Sequence, residues 1–147
     1  MKKLTGCSTR HILILLCFSL STLSAEWTNW RGPNYNLRAG KEDFPSEFSD
    51  RTNVLWSADL PGEGASTPAI WKNSLYITCL ENGTNRLFAF NLSGARNWDA
   101  RVGKGEEGSH RQGTGANPSP VVDDSGVYVY FKSAILAKFS HAGKELW

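Results

Sequence analysis

The chain has 147 residues, enough for one ordinary domain, and 12% of them are aromatic, six being tryptophan. With 14 glycines and six prolines, this composition is typical of short strands joined by tight turns, and it argues against disorder or a helical bundle. Three of the 16 Lys and Arg residues lie before residue 26, whereas all 14 Asp and Glu residues lie from Glu26 onward. The remainder therefore has 13 basic and 14 acidic residues, a net charge of −1, and no basic stripe for nucleic acid.

Residues 1–25 have the layout of a secretory signal peptide. A basic start precedes an apolar run over 12–18, and a stretch of mostly small residues follows it. We predict cleavage after Ala25 and export to the periplasm or the cell exterior. An uncleaved anchor is the alternative, although the run is too short to span a bilayer as a stable helix.

Cysteine usage neither supports nor opposes export. Once the signal is removed, Cys79 is the only cysteine, so no internal disulfide can form. Cys79 lies in an apolar strand pattern, where a buried, unreactive thiol is expected. A lipid anchor on Cys17 is disfavoured because the bulky Leu16 stands where a small residue is usual.

Residues 26–56 are predicted to form an N-terminal cap and a first strand. Trp27 and Trp30 precede a turn at Gly32-Pro33, and large aromatics are favoured as a plug on one end of a core over an exposed binding patch. The β-forming stretch over 53–58, which includes Trp56, predicts the strand. The glycine-rich stretch over 62–68 lacks the lysine of a phosphate loop and is interpreted as a connection.

Two similar units follow, over about 57–98 and 99–147. In the first, strands over 74–80 and 87–92 are joined by Asn82-Gly83, which favours a tight hairpin. The second unit repeats the order of strands with a shorter hairpin. Each unit is predicted to contain four short antiparallel strands, as in one blade of a β-propeller.

A polar, glycine-rich segment over 99–117 is predicted to be the one long loop. It contains Arg101, His110 and Arg111, and long loops are often functional. His110 has no second His or Cys at metal-ligand spacing, so we predict no metal site and interpret it as a solvated loop residue. Asp99, Asp123 and Asp124 are candidate carboxylates, but the last two are typical of a hairpin turn.

Each unit ends with the phrase Gly-x-x-x-Trp. The copies are Gly94 to Trp98 and Gly143 to Trp147, and Trp56 ends a weaker copy without the glycine. The tryptophans are 42 and 49 residues apart. Glycine permits the turn, and the indole ring can then lie against the neighbouring unit with its N–H donating to a backbone carbonyl. We therefore predict that these five residues dock one blade on the next.

These phrases resemble those of the PQQ-like (pyrroloquinoline-quinone-like) β-propeller repeat family. The resemblance covers nearly all of residues 27–147. It rests on Trp30-Arg31-Gly32-Pro33, on the glycine-rich entry over 60–68, and on the family's phrase Ala-x-Asp-x-x-Gly-Lys-x-x-Trp. Here the Gly and Trp are kept in both copies, the Asp is replaced by Asn91 and Ser140, and the Lys is kept only at Lys144.

The resemblance implies an all-β fold with about two blades of a partial propeller, as the N-terminal portion of a longer protein. The favoured function is an exported, non-catalytic binding or scaffold module, with a protein or small ligand at the propeller face and no cofactor. One alternative is a quinoprotein dehydrogenase that oxidises alcohols or sugars with PQQ and calcium, although the Cys-Cys pair of that group is absent. The other is an outer-membrane protein assembly factor. No catalytic residue is assigned.

Overall fold

The structure is a computed structural model that describes residues 26–39, 44–49, 51–108 and 113–147. Within these described ranges, strands and turns are the only regular elements, so the prediction of an all-β fold is confirmed. The predicted signal peptide, together with His110 and Arg111, lies outside the described residues.

Sheet one contains four antiparallel strands in sequence order. These are β1 (Ala69–Trp71), β2 (Ser74–Glu81), β3 (Thr84–Asn91) and β4 (Arg96–Lys104). The predicted hairpin joins β2 to β3, with Asn82 at φ 47° and Gly83 at φ 73°. Both values lie in the left-handed region, which a two-residue hairpin turn requires and which Asn-Gly accepts at low cost.

Sheet two contains three antiparallel strands, β5 (Val121–Asp123), β6 (Gly126–Tyr130) and β7 (Leu136–Phe139). Residues 145–147 run beside β7, where the Leu146 N–H donates to the Lys138 carbonyl at 2.8 Å and the Lys138 N–H donates to the Trp147 carbonyl at 2.9 Å. The fourth strand predicted for this unit is therefore present only as this short paired segment.

The main core lies between the two sheets. Alternate residues of each strand point into it, as the period of two in a β-strand demands. From sheet one these include Tyr76 and Leu87, and from sheet two Val129 and Phe139, all of them at most 1% exposed. The other face of sheet one carries a smaller buried cluster of Cys79, Phe88 and Phe90.

The N-terminal segment forms backbone hydrogen bonds with the first strand of each sheet. Trp27 and Ile70 of β1 exchange two backbone hydrogen bonds at 3.0 and 2.8 Å, and the Val122 N–H of β5 donates to the Thr28 carbonyl at 2.9 Å. Trp27 is half-buried, whereas Trp30 is 55% exposed. The burial predicted for Trp30 is therefore wrong, because its ring is turned outward with the Arg31 guanidinium 5.5 Å above it.

Two boundaries differ from the sequence prediction. The strand expected over 53–58 is not formed, because among the described residues this segment has no neighbouring strand with which to pair. Conversely, β4 continues to Lys104 through residues expected to be loop, because Val102 and Ala100 pack on the core between the sheets. The boundary expected between residues 98 and 99 thus lies within a strand.

We predict that Phe139→Ala lowers the free energy of unfolding by about 3–5 kcal/mol, because it removes a fully buried ring from the core. The matched control is Leu136→Ala in the same strand, where the side chain is 57% exposed. That change should stay within about 0.5 kcal/mol. Denaturant unfolding of the two variants measures the difference, and equal losses would contradict the placement of the core.

Candidate functional site

Trp98 of β4 links sheet one to sheet two. Its indole N–H donates to the His141 carbonyl at 2.9 Å, and its ring stacks on Phe139 with centroids 6.3 Å apart and planes inclined by 25°. Gly143 lies beneath the ring, and a Cβ built there would be only 2.7 Å from the indole. Its φ of 86° also belongs to the left-handed region, so both space and backbone conformation demand glycine.

Trp56 makes the same set of contacts one unit earlier. Its N–H donates to the Leu92 carbonyl at 2.9 Å, and its ring stacks on Phe90 at 6.4 Å and 25°. Gly94 lies beneath it, with φ 89° and a would-be Cβ 2.7 Å from the ring. We call each such set of Phe, Gly, acceptor carbonyl and incoming indole a tryptophan joint.

The two joints have one sequence pattern, Phe-x-x-x-Gly-x-x-x-Trp. Phe90, Gly94 and Trp98 form one copy, and Phe139, Gly143 and Trp147 form the other. The phenylalanine is not among the residues predicted from the sequence, although it stands at a constant spacing of four residues before the glycine. Phe90 and Gly94 contact Trp56, and Phe139 and Gly143 contact Trp98. Each turn therefore holds the tryptophan of the preceding unit.

Of Trp56, Trp98 and Trp147, only Trp147 does not lie on a Phe-Gly turn of the described residues. Its ring is 54% exposed and touches Tyr128 at a centroid distance of 6.3 Å. The five residues selected from the sequence therefore divide into two joined pairs, Trp56 on Gly94 and Trp98 on Gly143, and one exposed ring.

Beside the second joint lies an aromatic group centred on His141. Its Nδ1 and the Tyr76 hydroxyl form a hydrogen-bonded pair at 3.0 Å, and its ring stacks on Trp71 with centroids 6.2 Å apart. Burial raises the pKa of the Tyr76 phenol, so this hydroxyl stays neutral and serves as a packing and hydrogen-bonding group. The group strengthens the contact between the two sheets.

The charged residues on the outer face of sheet one neutralise one another. Arg86 is paired with Glu81 and Asp99, and its guanidinium lies 5.2 Å above the Phe88 ring. Asp99, a candidate carboxylate from the sequence, is also 3.7 Å from Arg96. Because its oxygens face cations and not an open cavity, Asp99 has the surroundings of a structural residue.

Asp123 closes the turn between β5 and β6, as the sequence predicted for Asp123 and Asp124. Its Oδ1 accepts bonds from the Ser125 N–H at 2.8 Å, the Ser125 hydroxyl at 2.7 Å and the Gly126 N–H at 3.1 Å. These bonds hold the pKa of the Asp123 carboxyl below its usual value, and the bond from the Ser125 hydroxyl has the largest effect. Lys138 approaches the same hydroxyl at 3.1 Å.

Cys79 is fully buried on the outer face of sheet one. Burial raises the pKa of its thiol, and the nearby Glu81 carboxylate raises it further. The thiolate is thus disfavoured, which agrees with the unreactive cysteine expected from the sequence.

A cleft of about 470 Å³ opens at the end of sheet one that carries the β2–β3 hairpin. Leu80 forms its apolar part, and main-chain groups of glycines form much of the rest. Its carboxylates are those of Glu63 and Glu107. Hydroxyl-rich or cationic molecules have the donors that such a lining accepts. The side chains around it are Pro61, Glu63, Leu80, Asn82, Glu107 and Thr114.

The described part of the chain has neither a metal-binding group of side chains nor a membrane-spanning helix. In it, no three His, Cys, Asp or Glu residues are grouped so that they could hold a metal ion. Within the same residues, no helix has the length and apolar character needed to cross a membrane.

Comparison with known protein families finds none that matches the chain. Comparison with curated proteins likewise finds no similar sequence.

We predict that Gly143→Ala destabilises the protein more than Gly83→Ala. Both glycines have positive φ, so each change carries a backbone cost of about 1–2 kcal/mol. A Cβ at Gly83 meets nothing within 4 Å, whereas one at Gly143 meets the Trp98 ring. The joint should therefore add about 1–3 kcal/mol for Gly143→Ala, measured by denaturant unfolding. Equal losses would show that Trp98 is not held against this turn.

We predict that Asp123 makes the protein less stable in acid. Its pKa is lower in the folded chain than in the unfolded chain, so its contribution is complete above the unfolded pKa. The contribution is lost as the pH falls through the folded pKa. Unfolding free energies measured from neutral pH to below about pH 4 should fall less for Asp123→Asn than for the wild type. Asp124→Asn, at a side chain without a hydrogen bond to any described residue, is the control and should follow the wild type.

Proposed function

We propose that this chain is an exported, non-catalytic binding or scaffold module built from PQQ-like β-propeller repeats. The observation that carries the proposal is the pair of tryptophan joints. In both, the indole donates to the carbonyl two residues after the stacked phenylalanine, at the same 2.9 Å. In a repeat architecture each unit packs on its neighbour, so each sheet is expected to hold a tryptophan through the same contacts.

The arrangement of the strands also supports the propeller over a simple sandwich. Both sheets run in sequence order without a crossover, as successive blades do. In a sandwich of the Greek-key kind, strands would pass between the two sheets. The order and the joints together therefore favour blades, with Trp56 in the position of the tryptophan that ends a preceding unit.

A binding role is supported by where the polar groups lie. On the outer face of sheet one, ion pairs already engage charged residues such as Arg86. The cleft beside Leu80 instead offers Glu63, Glu107 and main-chain groups to solvent. We therefore assign ligand binding to this end of the sheets, for a small molecule or a protein segment rich in hydrogen-bond donors.

The enzyme alternative is separated from this proposal by a titration with PQQ and calcium. We predict no saturable change in the absorbance of PQQ and no reduction of an electron-accepting dye when alcohols or sugars are supplied. Calcium without PQQ, and PQQ with a chelator, are the controls. Saturable PQQ binding with dye reduction would overturn the proposal in favour of a quinoprotein dehydrogenase.

A further inference from the structure

The β2–β3 hairpin has Asn82-Gly83 at its tip, and this is the one Asn-Gly sequence of the chain. Both residues are exposed, and a Cβ at Gly83 would meet nothing within 4 Å. Neither the Asn82 side-chain amide nor the Gly83 N–H forms a hydrogen bond with any described residue. An electrophilic amide carbon and an unhindered backbone nitrogen are therefore neighbours in the chain, and no partner holds either of them.

The other asparagines lack this combination, because each precedes a residue with a side chain. In addition, some are held by hydrogen bonds, such as Asn91, whose Oδ1 accepts from the Ser93 N–H at 3.0 Å. Asn73 is the closest comparison, since it is exposed in the two-residue turn between β1 and β2. Ser74, which follows it, belongs to β2 and is paired with Trp71. Moving the nitrogen of Ser74 would therefore disturb a strand.

We propose that Asn82 is a site of spontaneous deamidation, in which the Gly83 backbone nitrogen attacks the carbonyl carbon of the Asn82 side chain. The nitrogen loses its proton to hydroxide, the new N–C bond closes a five-membered succinimide, and the side-chain nitrogen leaves as ammonia. Water then opens the ring. Opening at the side-chain carbonyl gives aspartate, and opening at the main-chain carbonyl gives isoaspartate. One water is consumed and one ammonia is released, without oxidation or reduction.

The hairpin gives this reaction room to occur. Asn82 and Gly83 have φ values of 47° and 73°, and ring closure requires the backbone to leave that conformation. Glycine changes its backbone dihedrals at low steric cost. Pairing resumes at once on both sides of the turn, where Glu81 pairs with Thr84. The movement can therefore stay within the two turn residues while the strands remain paired.

Deamidation would change the cleft that the hairpin borders. Asn82 lines this cleft together with Glu63 and Glu107. The Asn82 amide both donates and accepts hydrogen bonds, whereas a carboxylate only accepts them. The product thus adds a carboxylate to an acidic lining and makes the cleft more attractive to cations. This effect on binding rests on the ligand site proposed above, but the reaction itself does not.

The experiment follows the folded full chain by peptide mass spectrometry during storage at mildly alkaline pH. The peptide containing Asn82 should gain one mass unit, faster at higher pH because the nitrogen attacks as its anion. The peptides containing Asn73 should stay unchanged over the same time. Gly83→Ala should slow the conversion at least about tenfold. Its Cβ meets no neighbour, so the surroundings of the turn are kept.

A second Asn-Gly sequence separates the effect of structure from that of sequence. Ser74→Gly makes Asn73 precede a glycine, but the nitrogen at position 74 stays in the ladder with Trp71. In the folded variant, Asn73 should react at least about tenfold more slowly than Asn82. In concentrated urea the two sites should react at similar rates.

Conversion of Asn82 in urea but not in the folded chain would overturn the proposal, because the hairpin would then protect its asparagine. Equal rates at Asn73 and Asn82 in folded Ser74→Gly would overturn it as well. Near-ultraviolet circular dichroism establishes that each variant is folded. Either result would leave the proposed function standing, since that depends on the joint tested by Gly143→Ala.

Discussion

The hydrogen bond from the Trp98 indole to the His141 carbonyl fixes how the two sheets are stacked. Apolar packing alone has little direction, and two sheets with apolar faces could slide over one another. The Trp98 indole has to donate to a carbonyl and at the same time lie against Gly143, and one stacking of the sheets meets both conditions. The gain in free energy from the bond itself is only about 1 kcal/mol, so its main effect is on orientation.

A second polar contact acts at the opposite end of the interface. Asn85 is fully buried, and its amide donates to the Lys104 carbonyl at 3.3 Å and to the Ser133 hydroxyl of the other sheet at 3.0 Å. A buried amide is costly unless it is paired, so a shifted stacking that broke these bonds would be penalised. The joint and Asn85 thus fix the two sheets at both ends, and the aliphatic core between them supplies most of the stabilisation.

The sequence predicts the elements whose signal is local. Asn82-Gly83 specifies a hairpin by its backbone preferences, and alternation specifies the strands on either side. It fails where the outcome depends on a distant partner. Residues 53–58 have strand composition, but a strand needs a neighbour. In β4, by contrast, the glycines and charges conceal an alternation in which Trp98, Ala100 and Val102 all face the core.

The candidate site also has parts that the sequence predicts and parts that it does not. Gly94 and Gly143 can be selected from the sequence because positive φ and close approach of a ring both require glycine. The cleft cannot, because it joins residues as distant as Glu63 and Glu107. The phenylalanine of each joint was available as a fixed spacing, but its meaning depends on contact with the preceding unit.

Stacking of the sheets also determines where chemistry can occur. A sheet that packs on both faces leaves few side chains there for a ligand, and the charged exceptions, such as Arg86 between Glu81 and Asp99, are already paired. In the proposed repeat architecture, the hairpins and connections at the ends of the strands, such as those around the cleft, are the segments best placed to meet a ligand. In such an architecture, differences in ligand between related proteins must arise from these segments, while the joints can stay the same. The sequence pattern of the joints therefore carries no information about the ligand.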